Sequence, residues 1–194
     1  MKVILLNLLI LFSVFALGQN TSDSIKLWTV DKSLIDNGEF KNYYQYDVGS
    51  FLFYNGRYEN NLSFLIQSKD NHKILYSAKD TLSDAMILKP KFFHNQNNSL
   101  IIIMIEVAAE YSWGQKILMI KNGTIKDLGF LDYAVDIDNG ESISEYCEFI
   151  YKQRQIQLIF KDVPIINWQN ESEISGKDLI FEFCNDGIKK VKTK

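Results

Sequence analysis

The sequence predicts an all-β protein made mainly of antiparallel hairpins. Asn-Gly occurs four times and Asp-Gly once, at 37–38, 55–56, 122–123, 139–140 and 186–187. These dipeptides accept the positive φ angles of the tight turns that join paired strands. Short runs rich in Ile, Leu, Phe, Tyr and Val lie between them. We therefore expect roughly ten to twelve strands, arranged as a sandwich or as a curled, barrel-like sheet.

The first eighteen residues have the order of a secretory signal peptide. Lys2 supplies a positive start, Val3 to Leu17 is an apolar run, and Ala16 and Gly18 place small residues before a cleavage point. An uncleaved anchor is the alternative, but the run is shorter than the roughly 20 residues of a permanent span. We expect 1–18 to be a cleaved signal peptide and 19–194 to be a single exported β-domain, periplasmic or extracellular, without a permanent membrane span.

The expected mature domain is mildly acidic. The formal net charge of −3 becomes −4 when Lys2 is removed with the leader, and arginine occurs only at positions 57 and 154. Surfaces that bind nucleic acids are basic, and phosphate groups are often bound by the planar guanidinium of arginine. We therefore expect no nucleic-acid partner.

Candidate strands follow the leader in regular succession. The clearest hairpin is 115–131, where apolar runs flank Asn122-Gly123, and 155–160 alternates core-like and partly polar residues. Two segments, 33–40 and 78–86, have the composition of a single helical turn, and the second has Thr81 or Ser83 as its cap. The remaining strand candidates, in chain order, are 25–30, 49–56, 61–68, 73–78, 86–93, 99–109, 133–137, 145–151, 178–183 and 188–192.

The most apolar stretch after the leader is SLIIIMIEVAAEYSWGQKILMI, at 99–120. Glu106 interrupts it, and its apolar part is too short for a membrane helix. Four Ile and one Val among residues 100–107 favour a strand over a buried helix. We predict a long central strand at 99–109 that is buried on both faces for part of its length, turns at 110–114 and pairs with 115–121.

The segment 91–129 resembles one blade of a β-propeller. It has the length of a blade and the same order of a long strand, a turn, a paired strand and a return. No second copy with matching Trp or Gly positions occurs in the chain. A small propeller-like arrangement is therefore the alternative fold.

Glu106 and Glu110 are the first candidate site. A carboxylate inside an apolar run must find water or a partner, so Glu106 is the most unusual residue of the central strand. The two glutamates are four residues apart, a spacing that places them on one face of a strand. A glycoside hydrolase needs two catalytic carboxylates. A buried acidic site formed by these two glutamates is therefore the basis of the alternative that the protein is an enzyme.

Tyr111 and Trp113 are the second candidate site, an aromatic binding surface. They lie in the predicted turn between two apolar strands, where rings are less needed for core packing. Most other aromatic residues occupy alternating strand positions and are expected in the core.

Motifs for metals and cofactors are weak in this sequence. Asp136, Asp138 and Glu141 form a loose acidic group, but the register of an EF-hand loop would place apolar residues at two ligand positions. The two histidines, His72 and His94, lack the spacing of metal ligands, and no Gly-x-Ser-x-Gly motif occurs. We expect no cofactor and no metal.

Cys147 and Cys184 are the only cysteines. Both lie in strand-like segments of a chain that we expect to be exported, and oxidising compartments allow disulfides. A Cys147–Cys184 disulfide is therefore predicted, with two buried free thiols as the alternative.

These features favour an exported, non-catalytic β-domain that binds a protein or a saccharide at the cell envelope or outside the cell. A small secreted hydrolase that uses carboxylates is one alternative. An inhibitor-like or structural partner protein, docking through edge strands or aromatic loops, is another.

Overall fold

The structure is a computed structural model that describes residues 24–35, 40–58, 61–78, 85–110, 112–135, 142–152, 155–184 and 187–191. Within these ranges the backbone forms seventeen strands and two short 3-10 helices, Ile143–Tyr146 and Gly176–Asp178, and it contains no α-helix. All strand pairs are antiparallel. The prediction of an all-β, antiparallel fold is therefore confirmed.

The strands range from three to ten residues. In chain order they are β1 (Lys26–Trp28), β2 (Lys32–Ile35), β3 (Phe40–Val48), β4 (Phe51–Tyr58), β5 (Asn61–Ser68), β6 (Ile74–Ser77), β7 (Ile87–His94), β8 (Leu100–Ala108), β9 (Ser112–Lys121), β10 (Thr124–Leu131), β11 (Tyr133–Val135), β12 (Cys147–Lys152), β13 (Gln155–Phe160), β14 (Pro164–Asn167), β15 (Ser172–Ser175), β16 (Ile180–Cys184) and β17 (Gly187–Val191).

The strands form four sheets. The central sheet has the order β1-β7-β8-β9-β10, and the N-terminal sheet has the order β2-β3-β4-β5-β6. The C-terminal sheet has the order β12-β13-β16-β17, and a small sheet has the order β11-β14-β15. Most strands pair with their neighbours in sequence, as a meander does. No sheet closes on itself in the described part of the chain, and these open sheets account for the fold without a propeller arrangement.

The middle strand of the central sheet, β8, is buried along its whole length. Because side chains alternate between the two faces of a strand, β8 contributes to two separate cores. Ile101, Ile103 and Ile105 pack against the N-terminal sheet in what we call the first core. Ile102 and Met104 pack on the opposite face, against the C-terminal and small sheets, in the second core. The prediction of a central strand buried on both faces is confirmed.

The hairpin of β9 and β10 also matches its prediction. Asn122 and Gly123 form a two-residue turn, and their φ angles are +50° and +78°. Thr124 pairs with Lys121 directly beside this turn. The positive φ angles of both residues fit the twist of the paired strands, so the dipeptide sets the register locally.

Other local predictions were wrong. Asn55-Gly56 lies inside β4 rather than in a turn, because Gly56 lets the Tyr43 ring pack directly on the backbone. A Cβ at Gly56 would lie 2.5 Å from Tyr43 Cδ2. The helical turn predicted at 33–40 is replaced by β2 and the start of β3 over the described residues. The ends of the second predicted turn, at 78 and 85–86, are irregular, and its middle lies outside the described residues.

The predicted Cys147–Cys184 disulfide is not present, and both cysteines are free. β12 and β16 flank β13 on opposite sides, which separates them by two strand spacings, ~10 Å. Cys147 faces Phe160 at one end of β13, whereas Cys184 follows the Ile156–Phe183 pair at the other end. That offset of about five residues adds ~16 Å along the strand, whereas a disulfide needs Cα atoms within about 7 Å.

The Cys147 thiol is inert in this position. Burial, followed by the nearby charge of Glu145, raises the pKa of Cys147 to about 12. Its Sγ lies 3.7 Å from Met104 Sδ in the second core. Cys147 therefore acts as a small apolar core residue. The alternative of two buried free thiols holds for Cys147 only, because Cys184 is half-buried.

Because β8 contributes side chains to both cores, we predict that the two cores unfold together. Ile103→Ala opens a cavity in the first core and Met104→Ala opens one in the second, and both residues are fully buried. We expect each substitution to lower the free energy of unfolding by about 2–5 kcal/mol in one cooperative urea transition. Leu27→Ala, at a side chain 54% exposed, is the control and should change the free energy by less than about 0.5 kcal/mol. Two separate transitions in either core variant would contradict this coupling.

Candidate functional site: a groove between the N-terminal and central sheets

Glu106 lies on β8 as part of a polar row that crosses the central sheet. It is opposite Lys89 of β7 and Gln115 of β9. Glu106 and Gln115 are buried, and Glu106 shares the strand parity of Met104, so it faces the second core. Lys89 reaches it only from the rim, with Nζ 3.9 Å from Glu106 Oε2 and half of the lysine side chain exposed.

Most polar side-chain atoms of Glu106 and Gln115 lack hydrogen-bond partners. Glu106 Oε2 and both amide atoms of Gln115 have no hydrogen-bond partner. A buried polar atom without a partner costs about 1–3 kcal/mol. The two side chains therefore weaken the second core at its rim, and neither lines the groove described below.

The other predicted site residues have different surroundings. Glu110 is exposed beyond the end of β8, so it does not share the burial of Glu106. Tyr111 and the acidic group Asp136, Asp138 and Glu141 lie outside the described residues. Among the residues that are described, no group of three or more His, Cys, Asp or Glu side chains is placed to hold a metal ion.

Trp113 lines a groove of about 510 Å³ that opens between the N-terminal and central sheets. This volume lies within the range of small-ligand sites. The N-terminal sheet contributes Phe64 and Tyr76, whose rings stack with centroids 5.9 Å apart. Phe64 is buried and forms the base of the groove, whereas Tyr76 and Trp113 are half-buried and Phe130 is exposed. The lining of the groove thus includes three partly exposed aromatic side chains.

Asp127 is the centre of a hydrogen-bond network in this groove. Its Oδ1 lies 2.7 Å from Lys116 Nζ and accepts a 2.9 Å hydrogen bond from the Gly129 amide. Its Oδ2 accepts a 2.7 Å hydrogen bond from the Tyr76 hydroxyl. The network joins β6, β9 and β10, and it fixes the orientation of a carboxylate that is still reachable from solvent.

The network also sets the ionisation of its members. Burial alone would raise the pKa of the Asp127 carboxyl, but hydrogen bonds from Lys116, Tyr76 and the Gly129 amide together hold it below its usual range. Burial, followed by the hydrogen bond and charge of Asp127, raises the pKa of Tyr76. Asp127 is therefore an anion at neutral pH, and Tyr76 is a protonated donor.

Two β-bulges in the central sheet place the groove residues. Between β8 and β9 the pairing passes from Val107–Gly114 to Ala108–Ser112, which leaves Trp113 as the extra residue. A Cβ at Gly114 would lie 2.2 Å from the carbonyl oxygen of Leu131, so only glycine fits beside this bulge. Bulges redirect side chains and terminate regular pairing, which is why they recur next to functional sites.

The second bulge lies between Asp127 and Gly129 on β10. Gly129 has a φ of +104°, and its amide donates to the Asp127 side chain. Beyond the bulge, Phe130 pairs opposite Lys116, and both line the groove. The bulge therefore brings an aromatic ring and a carboxylate of the same strand to one side of the sheet.

The sequence identified only part of this groove. Trp113 was found because the sequence predicts a turn at 110–114, although the structure places this residue on β9. Tyr76, Lys116, Asp127, Phe130 and Asp132 were missed, although the charged pair Lys126-Asp127 inside an apolar hairpin was a local signal. Tyr76 and Asp127 are 51 residues apart, and no local pattern predicts their contact.

No protein-family model matches this chain, and neither a curated protein nor a solved structure matches it. The described residues include no helix with the length and apolar character of a membrane span.

The Asp127 network predicts an acid-dependent loss of stability. Because the pKa of Asp127 is lower in the folded state, its contribution is present at neutral pH and is lost as the pH falls below about 4, through the folded-state pKa. Asp127→Asn should therefore flatten the fall in unfolding free energy between neutral and acidic pH. Lys116→Met removes a donor to the same carboxylate and should flatten it in the same way. A wild-type pH dependence in both variants, measured by urea unfolding, would contradict the network.

The unsatisfied pair predicts a stabilising substitution. The double variant Glu106→Met, Gln115→Met removes three buried atoms that lack hydrogen bonds and fills their volume with flexible apolar chains. We expect the free energy of unfolding to rise by about 1 kcal/mol or more, because replacing buried charges with apolar groups of similar size often stabilises a protein. Glu106→Ala is the matched control and should destabilise by creating a cavity. A decrease in the double variant would show that the pair has partners that stabilise it.

Proposed function

We propose that the protein is an exported, non-catalytic module that binds a saccharide chain in the groove between the N-terminal and central sheets. The observation that carries this proposal is that one groove contains both partly exposed aromatic rings and an oriented polar network. Trp113, Tyr76 and Phe130 provide the rings, and Asp127 and Lys116 provide the network.

This combination suits the chemistry of a sugar ring. The C–H faces of a pyranose are apolar and stack on aromatic side chains, whereas its edges carry hydroxyl groups that need hydrogen-bond partners. The ionised Asp127 accepts hydrogen bonds that are stronger than those of a neutral group. Its orientation is fixed before the ligand arrives, which lowers the entropic cost of binding.

The ionised Asp127 does not suit the role of the acid in a glycoside hydrolase. A glycoside hydrolase needs one carboxyl that remains protonated near neutral pH in order to donate to the leaving group, so the pKa of that acid is raised. The pKa of Asp127 is shifted in the opposite direction. The enzymatic hypothesis placed its two carboxylates at Glu106 and Glu110. Glu106 lies on the opposite face of the central sheet from the groove, and Glu110 is exposed beyond the end of β8.

The location outside the cytoplasm rests on the sequence of residues 1–18. A signal peptide directs the chain to a compartment where cell-wall and extracellular polysaccharides are abundant. The acidic domain and its shortage of arginine agree with a ligand other than nucleic acid.

Removal of one ring tests the proposed function. Trp113→Leu keeps an apolar side chain against the first core but removes the flat face, and we expect it to weaken oligosaccharide binding at least about tenfold, or about 1.4 kcal/mol. The matched control is Trp28→Leu, which removes a half-buried tryptophan that stacks on His94 outside the groove. Isothermal titration calorimetry with a panel of neutral, acidic and amino-bearing oligosaccharides provides the measurement.

Two results would overturn the saccharide proposal. One is the failure of every oligosaccharide in the panel to bind the wild-type protein. The other is equal affinity of Trp113→Leu and the wild-type protein for an oligosaccharide that does bind.

A further inference from the structure

We propose that the saccharide bound in the groove carries a free, protonated amino group, as an amino sugar without N-acetylation does. This inference rests on the proposed function and adds the charge of the ligand to it. It follows from the balance of charges in the groove and from the position of Asp132.

Among the described residues, the charged side chains that line the groove are Lys116, Asp127 and Asp132. Lys116 and Asp127 form an ion pair with Nζ and Oδ1 2.7 Å apart, so their charges compensate each other. The Asp127 oxygens also accept from Tyr76 and the Gly129 amide, so three of the roughly four acceptor sites of this carboxylate are used within the protein.

Asp132 has a different environment. It follows β10 directly, is half-buried, and accepts a 2.6 Å hydrogen bond from Gln169 Nε2 on its Oδ2. That amide is neutral and orients the carboxylate without cancelling its charge. Asp132 takes part in none of the ion pairs formed among the described residues. Among the described residues that line the groove, negative charges therefore outnumber positive charges by one.

The aromatic rings add to this preference for a cation. The faces of Trp and Phe carry negative electrostatic potential and attract a cation. Trp113 and Phe130 line the same groove as Asp132. A protonated amine on the sugar can donate to Asp132 and compensate its charge while the sugar ring stacks on these rings. An acetylated amine can donate only as a neutral group, and a carboxylate is repelled.

The charge of Lys116 does not oppose this arrangement, because Asp127 neutralises it at close range. A ligand carboxylate, by contrast, would meet Asp132 without a free cation among the groove's described residues. The expected order of affinity is therefore amino sugar first, neutral or acetylated sugar second, and uronic acid last.

Three oligosaccharides of equal length test this order by isothermal titration calorimetry at mildly acidic pH, where the amine is protonated. The probes are a glucosamine oligomer, its fully N-acetylated counterpart and a galacturonic acid oligomer. We expect the glucosamine oligomer to bind about tenfold more tightly than the acetylated one, with an affinity that falls as salt is added.

Asp132→Asn isolates the proposed residue. Asparagine keeps the shape and the acceptor for Gln169 but removes the charge, so the preference for the amine should disappear while the midpoint of urea unfolding is unchanged. Glu148→Gln is the control with the same loss of charge, at an exposed position on β12 away from the groove. It should keep the full preference.

The outcomes separate the two proposals. If the acetylated oligomer binds as tightly as the amine, and Trp113→Leu still weakens binding, the amino-group inference is overturned and the saccharide function is supported. If Asp132→Asn retains the full preference for the amine, the role of Asp132 is overturned. If none of the three oligomers binds, both the inference and the proposed function fail.

Discussion

The burial of β8 on both faces is the constraint on which the rest of the structure depends. A strand with apolar side chains on both faces cannot lie at a protein surface, so each face must be covered by another sheet. The N-terminal sheet covers Ile101, Ile103 and Ile105, and the C-terminal and small sheets cover Ile102 and Met104. The layered order of the molecule follows from this one segment, and so does the groove, which opens where the N-terminal and central sheets separate.

The groove arises from irregularities in an otherwise regular sheet. Regular pairing of β8, β9 and β10 would continue the alternation that supplies the two cores. The bulges at Trp113 on β9 and beside Asp127 on β10 interrupt this alternation on neighbouring strands. Each bulge depends on a glycine, Gly114 or Gly129, with a φ that other residues rarely adopt. The sheet thus loses some regular hydrogen bonds and gains a surface with rings and oriented polar groups.

Sequence reasoning was accurate where local patterns decide the structure. The composition of 100–107 predicted β8, and Asn122-Gly123 predicted the turn between β9 and β10. Both features depend on neighbours in the chain. Asn55-Gly56 was misjudged because its conformation is set by the distant Tyr43 ring. β14 was missed because a short segment beginning with Pro164 has no strand signal of its own, and only pairing with β11 and β15 makes it a strand. The contact of Tyr76 with Asp127 lies beyond local reasoning for the same cause.

A comparison of the Glu106–Gln115 pair with the groove carboxylates shows why the groove is the better candidate for function. Glu106 and Gln115 are buried with atoms that lack hydrogen-bond partners, so solvent does not reach them as it reaches the groove. Asp127 is held by three donors, and Asp132 by one, at a surface that solvent already reaches. Binding sites gain affinity when polar groups are oriented in advance and still accessible. Glu106 has neither property, whereas the groove carboxylates have both.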